Sequence, residues 1–181
     1  ALIRDLSVLQ GDILILGVGG KIGPSLAKLA KRAIDLSSVH KKVIGVSRFS
    51  DIELKEELEG GGIKTYTADL MNESELESLP DAENVFFLAG TKFGTTGNEH
   101  FTWAMNTYLP GRVAEKYKNS RIVVYSTGNV YPFSPVALGG CDEKTFPSPV
   151  GEYGQSCLGR ERIFEHFAKK YNIPLLIYRL N

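Results

Sequence analysis

The segment Gly17-Val18-Gly19-Gly20-Lys21-Ile22-Gly23 sets glycines at 17, 20 and 23, directly behind the apolar run Ile13-Leu14-Ile15-Leu16. At a strand-to-helix turn, that spacing binds a pyrophosphate. The first glycine permits the tight turn, the second lets a phosphate approach the backbone, and the third lets helix and strand pack closely. The N–H groups and the helix dipole then hold the negative charge. A Walker-type phosphate loop would need Ser or Thr after Gly20-Lys21, and Ile22 stands there. A dinucleotide site also needs a group that reads the adenosine ribose about 20 residues on, at the end of the second strand. Ser47 and Arg48 fall there, and neither is acidic. A Ser-Arg pair suits a 2′-phosphate, through charge and a fork of donors, and favours NADP over NAD; an ordinary surface arginine is the plain alternative. Asp69 closes the third strand ahead of Leu70, either accepting from an adenine amino group or capping a helix. His40, His100 and His166 are scattered without ligand spacing, so no metal site is expected.

These groups need a scaffold, and the rest of the chain describes one. Apolar runs at 12–16, 42–46, 63–67, 84–89, 121–126 and 174–178 alternate with helical patterns, the signature of βαβ units and a parallel sheet. The first helix after the glycines shows Ile22, Leu26, Leu29, Ala30 and Ala33 on one face, with Pro24 in its first turn. Helices follow near 51–59, 73–79, 99–117 (with Pro110 as a kink or restart) and 152–170, the last burying Ile163, Phe164, Phe167 and Leu158. Residues 1–10 read as a short packed lead-in. The stretch 127–152 holds Pro132, Pro135, Pro147 and Pro149, which deny it long regular elements. Its Tyr131, Phe133 and Phe146 either cap a substrate or pack ordinarily.

The 181 residues carry 21 Lys+Arg against 21 Asp+Glu, a net charge of zero that gives no footprint for nucleic acid. Apolar runs fall far short of the ~20 residues of a membrane span. Cys141 and Cys157 are too few to staple a domain of this size, so a bridge between them is not expected and a reducing cytoplasm is.

Taken together with these patterns, the sequence from Asp12 to Asn181 resembles the extended short-chain dehydrogenase/reductase superfamily, in its NAD-dependent epimerase/dehydratase group. The residues that carry the likeness are Gly17–Gly23, Asp69-Leu70, Leu88-Ala89-Gly90, Asn106, Ser126-Thr127-Gly128-Asn129-Val130-Tyr131, Tyr153 and Arg179-Leu180-Asn181. The resemblance implies a doubly wound Rossmann sheet of order 3-2-1-4-5-6. It implies that Leu88, Ala89 and Gly90 line the cofactor, that Lys92 contacts it, and that Asn106 lies near the active site. Tyr153 is implied as acid/base on a sugar, sugar acid or nucleotide sugar, with Thr127 (or Ser126) holding the substrate oxygen. A phenol of pKa near 10 works there only if its proton affinity is lowered, which the family does with a lysine four residues on.

Here Cys157 occupies that position. Three readings follow. Another cation substitutes, Arg160 or Lys92; or redox chemistry is lost and the fold is a dinucleotide-binding sensor or scaffold; or Cys157 is itself reactive. A pure protein-interaction domain is the remaining alternative. The family's helices at 99–117 and 152–170 often pair between subunits, implying a homodimer. Its members continue past the sixth strand into a substrate lobe, so residues 1–181 are expected to be the cofactor domain of a longer protein.

Overall fold

A sheet of parallel strands dominates the computed structural model, which describes residues 1–37, 39–92 and 96–180. The elements run α1 (Leu2–Val8), β1 (Ile13–Leu16), α2 (Gly23–Asp35), β2 (Val43–Ser47), α3 (Ile52–Gly60), β3 (Lys64–Thr67), α4 (Glu73–Ser78) and β4 (Asn84–Phe87). Then come α5 (Glu99–Trp103), a π-helical turn (Ala104–Tyr108), α6 (Leu109–Lys116), β5 (Arg121–Thr127), α7 (Gly151–Tyr171) and β6 (Leu175–Leu180). The strand order is β3-β2-β1-β4-β5-β6, as the family resemblance implies. Every pairing is parallel, with Ile13 between Val43 and Asn84. The order reverses between β1 and β4, which opens a crevice at their carboxyl ends.

Alternation along the strands divides the core into two layers. Leu14, Leu16, Val85, Phe87, Ile122 and Val124 face one side with Val113, Tyr117 and Phe164. Ile13, Ile15 and Val43 face the other with Ala27, Ala30, Ile34 and Leu58. Helix α2 keeps Ala30, Ala33 and, in part, Leu26 on the expected face and departs from it at Ile22 and Leu29. Leu29 is 54% exposed and Ile22 44%, while Ala27, Ala30, Ala33 and Ile34 are buried. Small alanines let the helix lie close to the sheet, and the larger Leu29 falls on the outer side. On the sheet face that carries α2 and α3, the β6 residues Leu176 and Tyr178 stay exposed.

Local signals explain most boundaries. Asp51 caps α3 by accepting from the Leu54 N–H, and Asn72 caps α4 by accepting from Ser74 and Glu75. Asp69 therefore caps nothing; its carboxylate accepts from the Met71 N–H within its own turn. Pro110 sits in the first turn of α6 behind the π-helical turn, so it restarts the helix. Cys141 and Cys157 are both free thiols. Phe133 and Phe146 are 88% and 81% exposed, so neither packs against the domain.

Helix α7 buries a different stripe from the one its leucine and phenylalanines suggest. Phe164 is buried, edge-on to Phe87 at 5.1 Å. Ile163, Phe167 and Leu158 are only half-buried, and the inward face nearer the N-terminus is Gly154, Ser156, Cys157, Arg160 and Glu161. That polar stripe borders the crevice. Phe164→Ala would leave a cavity between α7 and β4. It should cost about 3–5 kcal/mol in a urea unfolding experiment.

Candidate functional site

The crevice is a cleft of about 320 Å³ between the glycine turn, the ends of β4 and β5, and the start of α7. Gly17, Gly20, Lys21, Ile22 and Gly23 form one wall. Gly17 has φ of +89°, and a Cβ on it would stand 2.7 Å from the Ala89 nitrogen, so only glycine fits. Gly23 begins α2 hard against the Val18 carbonyl, while a Cβ on Gly20 would meet only the Gly17 oxygen, at 3.5 Å. The turn therefore leaves its open side toward the cleft, at the positive end of a thirteen-residue helix. Leu88, Gly90, Thr91 and Lys92 form the floor beyond β4, and Tyr125, Ser126, Thr127, Asn129, Tyr153, Arg160 and Leu180 complete the far wall.

Several expected cofactor residues lie elsewhere. Val18 is fully buried in the core beneath the turn, and Leu70 is buried in the opposite layer, so neither side chain reaches the cleft. Ala89 packs against that same layer. Gly19 lies against the Ser47 hydroxyl, which places the end of β2 beside the glycine turn. Arg48 is exposed next to it, and Asp69 is half-buried at the end of β3. Asn181 falls outside the described residues.

Asn106 is fully buried under the floor instead of lining it. Its Oδ1 accepts from the Thr91 N–H at 3.0 Å and from Arg160 Nη2 at 2.7 Å. Its Nδ2 donates to the Thr91 carbonyl and the Ser156 hydroxyl, both at 3.0 Å. The amide therefore ties the loop after β4 to α7. Arg160, 6% exposed, also donates from Nη1 to the Tyr125 carbonyl at 2.9 Å and lies over the Phe87 ring. Its Nε has no hydrogen-bond partner among the described residues.

Ser126 does not offer a free hydroxyl. It donates to Glu161 Oε1 at 2.6 Å, and the fully buried Glu161 also pairs with Arg179 at 2.8 Å. Arg179 in turn donates to the Tyr131 phenol, and the Glu161 hydrogen bond holds its guanidinium above the ordinary range. Thr127 Oγ1 donates to Asn129 Oδ1 and accepts from the Asn129 N–H, both at 3.2 Å, and it faces Tyr153. Burial pushes the Tyr153 phenol above its usual value and neighbouring Cys157 adds to this, with Thr127 and Arg160 pulling down. Burial likewise raises the Cys157 thiol against the pull of Arg160, which argues against a reactive thiolate.

The tie of Ser126 and Arg179 to Glu161 is the part of the site that sequence reading missed, because a glutamate between Arg160 and Arg162 reads as a solvated helix charge. Glu161→Ala would strand Arg179 and Ser126 at the ends of β5 and β6. A loss of about 3 kcal/mol is expected in equilibrium unfolding.

Residues 13–181 match the NAD dependent epimerase/dehydratase family. Comparison with curated proteins gives no match. Among solved structures, the chain is similar to a mutant UDP-glucuronic acid 4-epimerase from Bacillus cereus, bound to a fluorinated UDP-sugar and NAD. The TM-score is 0.77 at 22% identity, covering 93% of this chain and 55% of that one. It is also similar to the UDP-Glc/GlcNAc 4-epimerase from Campylobacter jejuni, with TM-score 0.76, 19% identity, and coverage of 93% and 52%. For Pal from Bacillus thuringiensis the TM-score is 0.75 at 16% identity, with coverage of 93% and 55%. The chain thus spans just over half the length of these structures. With a match over nearly its whole length and the sheet order to go with it, the chain belongs to the NAD-dependent epimerase/dehydratase family.

Proposed function

We propose that this chain binds a nicotinamide dinucleotide across the cleft and moves a proton at a sugar-type hydroxyl, as an NAD(P)-dependent oxidoreductase of the epimerase/dehydratase type. The observation that carries this is the meeting of the glycine turn with Tyr153 and Thr127 across one cleft. The residues present suit the cofactor. The turn excludes a Cβ at Gly17 and Gly23, and α2 points its N-terminus at the place for the pyrophosphate. A bound nicotinamide would supply hydride transfer. The chain's own work is then to orient and to handle the proton.

Thr127 would hold the substrate oxygen beside the Tyr153 phenol. Because burial raises that phenol, Tyr153 is protonated at neutral pH and enters as the acid; removing a substrate proton is the harder direction. The related Bacillus cereus structure is a complex with NAD, whereas Ser47 and Arg48 at the end of β2 favour a 2′-phosphate. The reading is supported by Lys92 and Gly90 lining the same cleft, where they would meet the rest of the cofactor.

Residues 1–181 then serve as the dinucleotide-binding domain of a longer enzyme, a reading supported by the coverage of its relatives and by the uncovered face of β6. Among the described residues no helix is long and apolar enough to cross a membrane, and a cytoplasmic location fits the two free thiols. Exposed Phe101, Trp103 and Tyr108 along α5 and the π-helical turn favour pairing of two copies there.

The absent lysine at Cys157, with a phenol raised by burial, favours a second reading, a dinucleotide-binding sensor without turnover. Tyr153→Phe separates the two. On the enzyme reading it abolishes turnover of nucleotide sugars and leaves dinucleotide affinity nearly intact. Tight NADPH binding with no turnover of any sugar by the unmutated full-length protein would favour the sensor. Arg48→Ala tests the cofactor preference. It should weaken NADP binding by about tenfold or more, the loss of one charged contact, and leave NAD unchanged. Equal affinities for both, unmoved by the substitution, would remove the 2′-phosphate role.

A further inference from the structure

Arg160 is a buried charge whose identified hydrogen bonds reach no carboxylate, although the Glu161 carboxylate also faces it. Its two identified hydrogen-bond acceptors, Asn106 Oδ1 and the Tyr125 carbonyl, are both neutral. Glu161, next along the helix, has both oxygens on Arg179 and one also on Ser126. Burying a guanidinium on neutral partners is costly, and a site keeps one where its charge has a task.

The location of that charge follows from helix geometry. Residues 153, 157, 160 and 164 share the inward face of α7, and a long helical side chain slants back toward the N-terminus. An arginine at 160 therefore delivers its guanidinium about one turn earlier, near the level of residue 157. The contacts agree. Asn106, which accepts from Arg160 Nη2 at 2.7 Å, also lies 3.0 Å from Ser156 Oγ and 3.9 Å from Cys157 Sγ. Gly90 completes the fit, since a Cβ there would overlap the guanidinium.

We infer that Arg160 is the positioning cation of Tyr153, supplying from one turn further along α7 the fixed positive charge that residue 157 lacks, with Cys157 and Gly90 small so that its guanidinium fits. This rests on the reading of Tyr153 as the proton-transfer group. When the phenol passes its proton to a substrate oxygen it becomes a phenolate. The guanidinium is already charged, loses no proton, and stabilises that anion. The groups facing Tyr153 are Thr127 from β5 and Cys157 and Arg160 from α7, and those facing Cys157 also include Glu161 and, from the loop after β4, Lys92. Arg160 pulls the phenol toward ionisation, and burial and Cys157 oppose it.

The test reads the phenol directly, without cofactor. The Tyr153 ring resonance, assigned by its loss in Tyr153→Phe, is followed against pH in the full chain carrying isotope-labelled tyrosine. Arg160→Ala should raise the midpoint by about one pH unit or more. Adding Cys157→Lys to Arg160→Ala should bring it back, a rescue that a merely structural arginine would not give. An unmoved midpoint, a failed rescue, a shift on Lys92→Ala instead, or an unmutated phenol that stays protonated until the protein unfolds would each overturn the inference. If Arg160→Ala does not fold, stability decides. Cys157→Lys alone crowds two cations and should melt below the Arg160→Ala/Cys157→Lys pair; the opposite order overturns it. Dinucleotide binding is measured separately. Its absence would remove the proposed function and leave the titration standing.

Discussion

The Asn106 amide lies where three parts of the chain have to meet, and the site depends on its hydrogen bonds. It takes both backbone groups of Thr91, the Ser156 hydroxyl and one arm of Arg160, with no exposure to solvent. Buried polar groups are expensive unless each finds a partner, so such a cluster admits few alternative arrangements. Its effect is to join the loop beyond β4, the π-helical turn and the first half of α7 into one wall. The π-helical turn belongs to the same constraint, since Asn106 sits in it and Thr107 bonds the Ser156 carbonyl at 3.2 Å. A local insertion in an otherwise α-helical stretch is a common companion of functional positions.

On the opposite wall the constraint is steric. The glycine turn is compressed between Ala89, Val18 and Ser47, and its tightness brings the start of α2 to the mouth of the cleft. One wall is thus made of backbone that cannot tolerate side chains, the other of buried polar side chains that cannot tolerate loss of partners. Glu161 extends the second wall to β6 by holding Ser126 and Arg179 together. That assigns the two neighbouring hydroxyls different partners. Ser126 is tied to Glu161 on α7, whereas Thr127 is held by Asn129 in the turn just after β5.

Strand identity and the glycine turn were legible in the sequence because each rests on local periodicity or on a steric demand at fixed spacing, whereas the sheet order came only with the family resemblance. Buried parallel strands read as continuous apolar runs, and Asp51 and Pro110 mark helix starts through their own backbone requirements. The family likeness rested on the same short motifs. Helix faces were less legible. In α2 the pattern put Leu29 on the inward face together with Ala30 and Ala33, of which only the alanines are buried, and in α7 it favoured Ile163 and Phe167 over a polar stripe. Periodicity ranks residues by apolarity, and both faces are chosen by what the neighbouring element can accommodate.

The sequence alone determined alternating βαβ units with a phosphate-type glycine turn and no lysine four residues after Tyr153, and its resemblance to the family implied the doubly wound order. Tertiary structure decided which residues touch. It buried Asn106 as a clamp, tied the Ser126 hydroxyl to Glu161, and set Arg160 and Tyr153 along the same cleft. The reason is physical. Motif spacing follows from backbone geometry within one element, whereas hydrogen-bond partnership and burial depend on side chains converging from four separate elements, which no local pattern encodes.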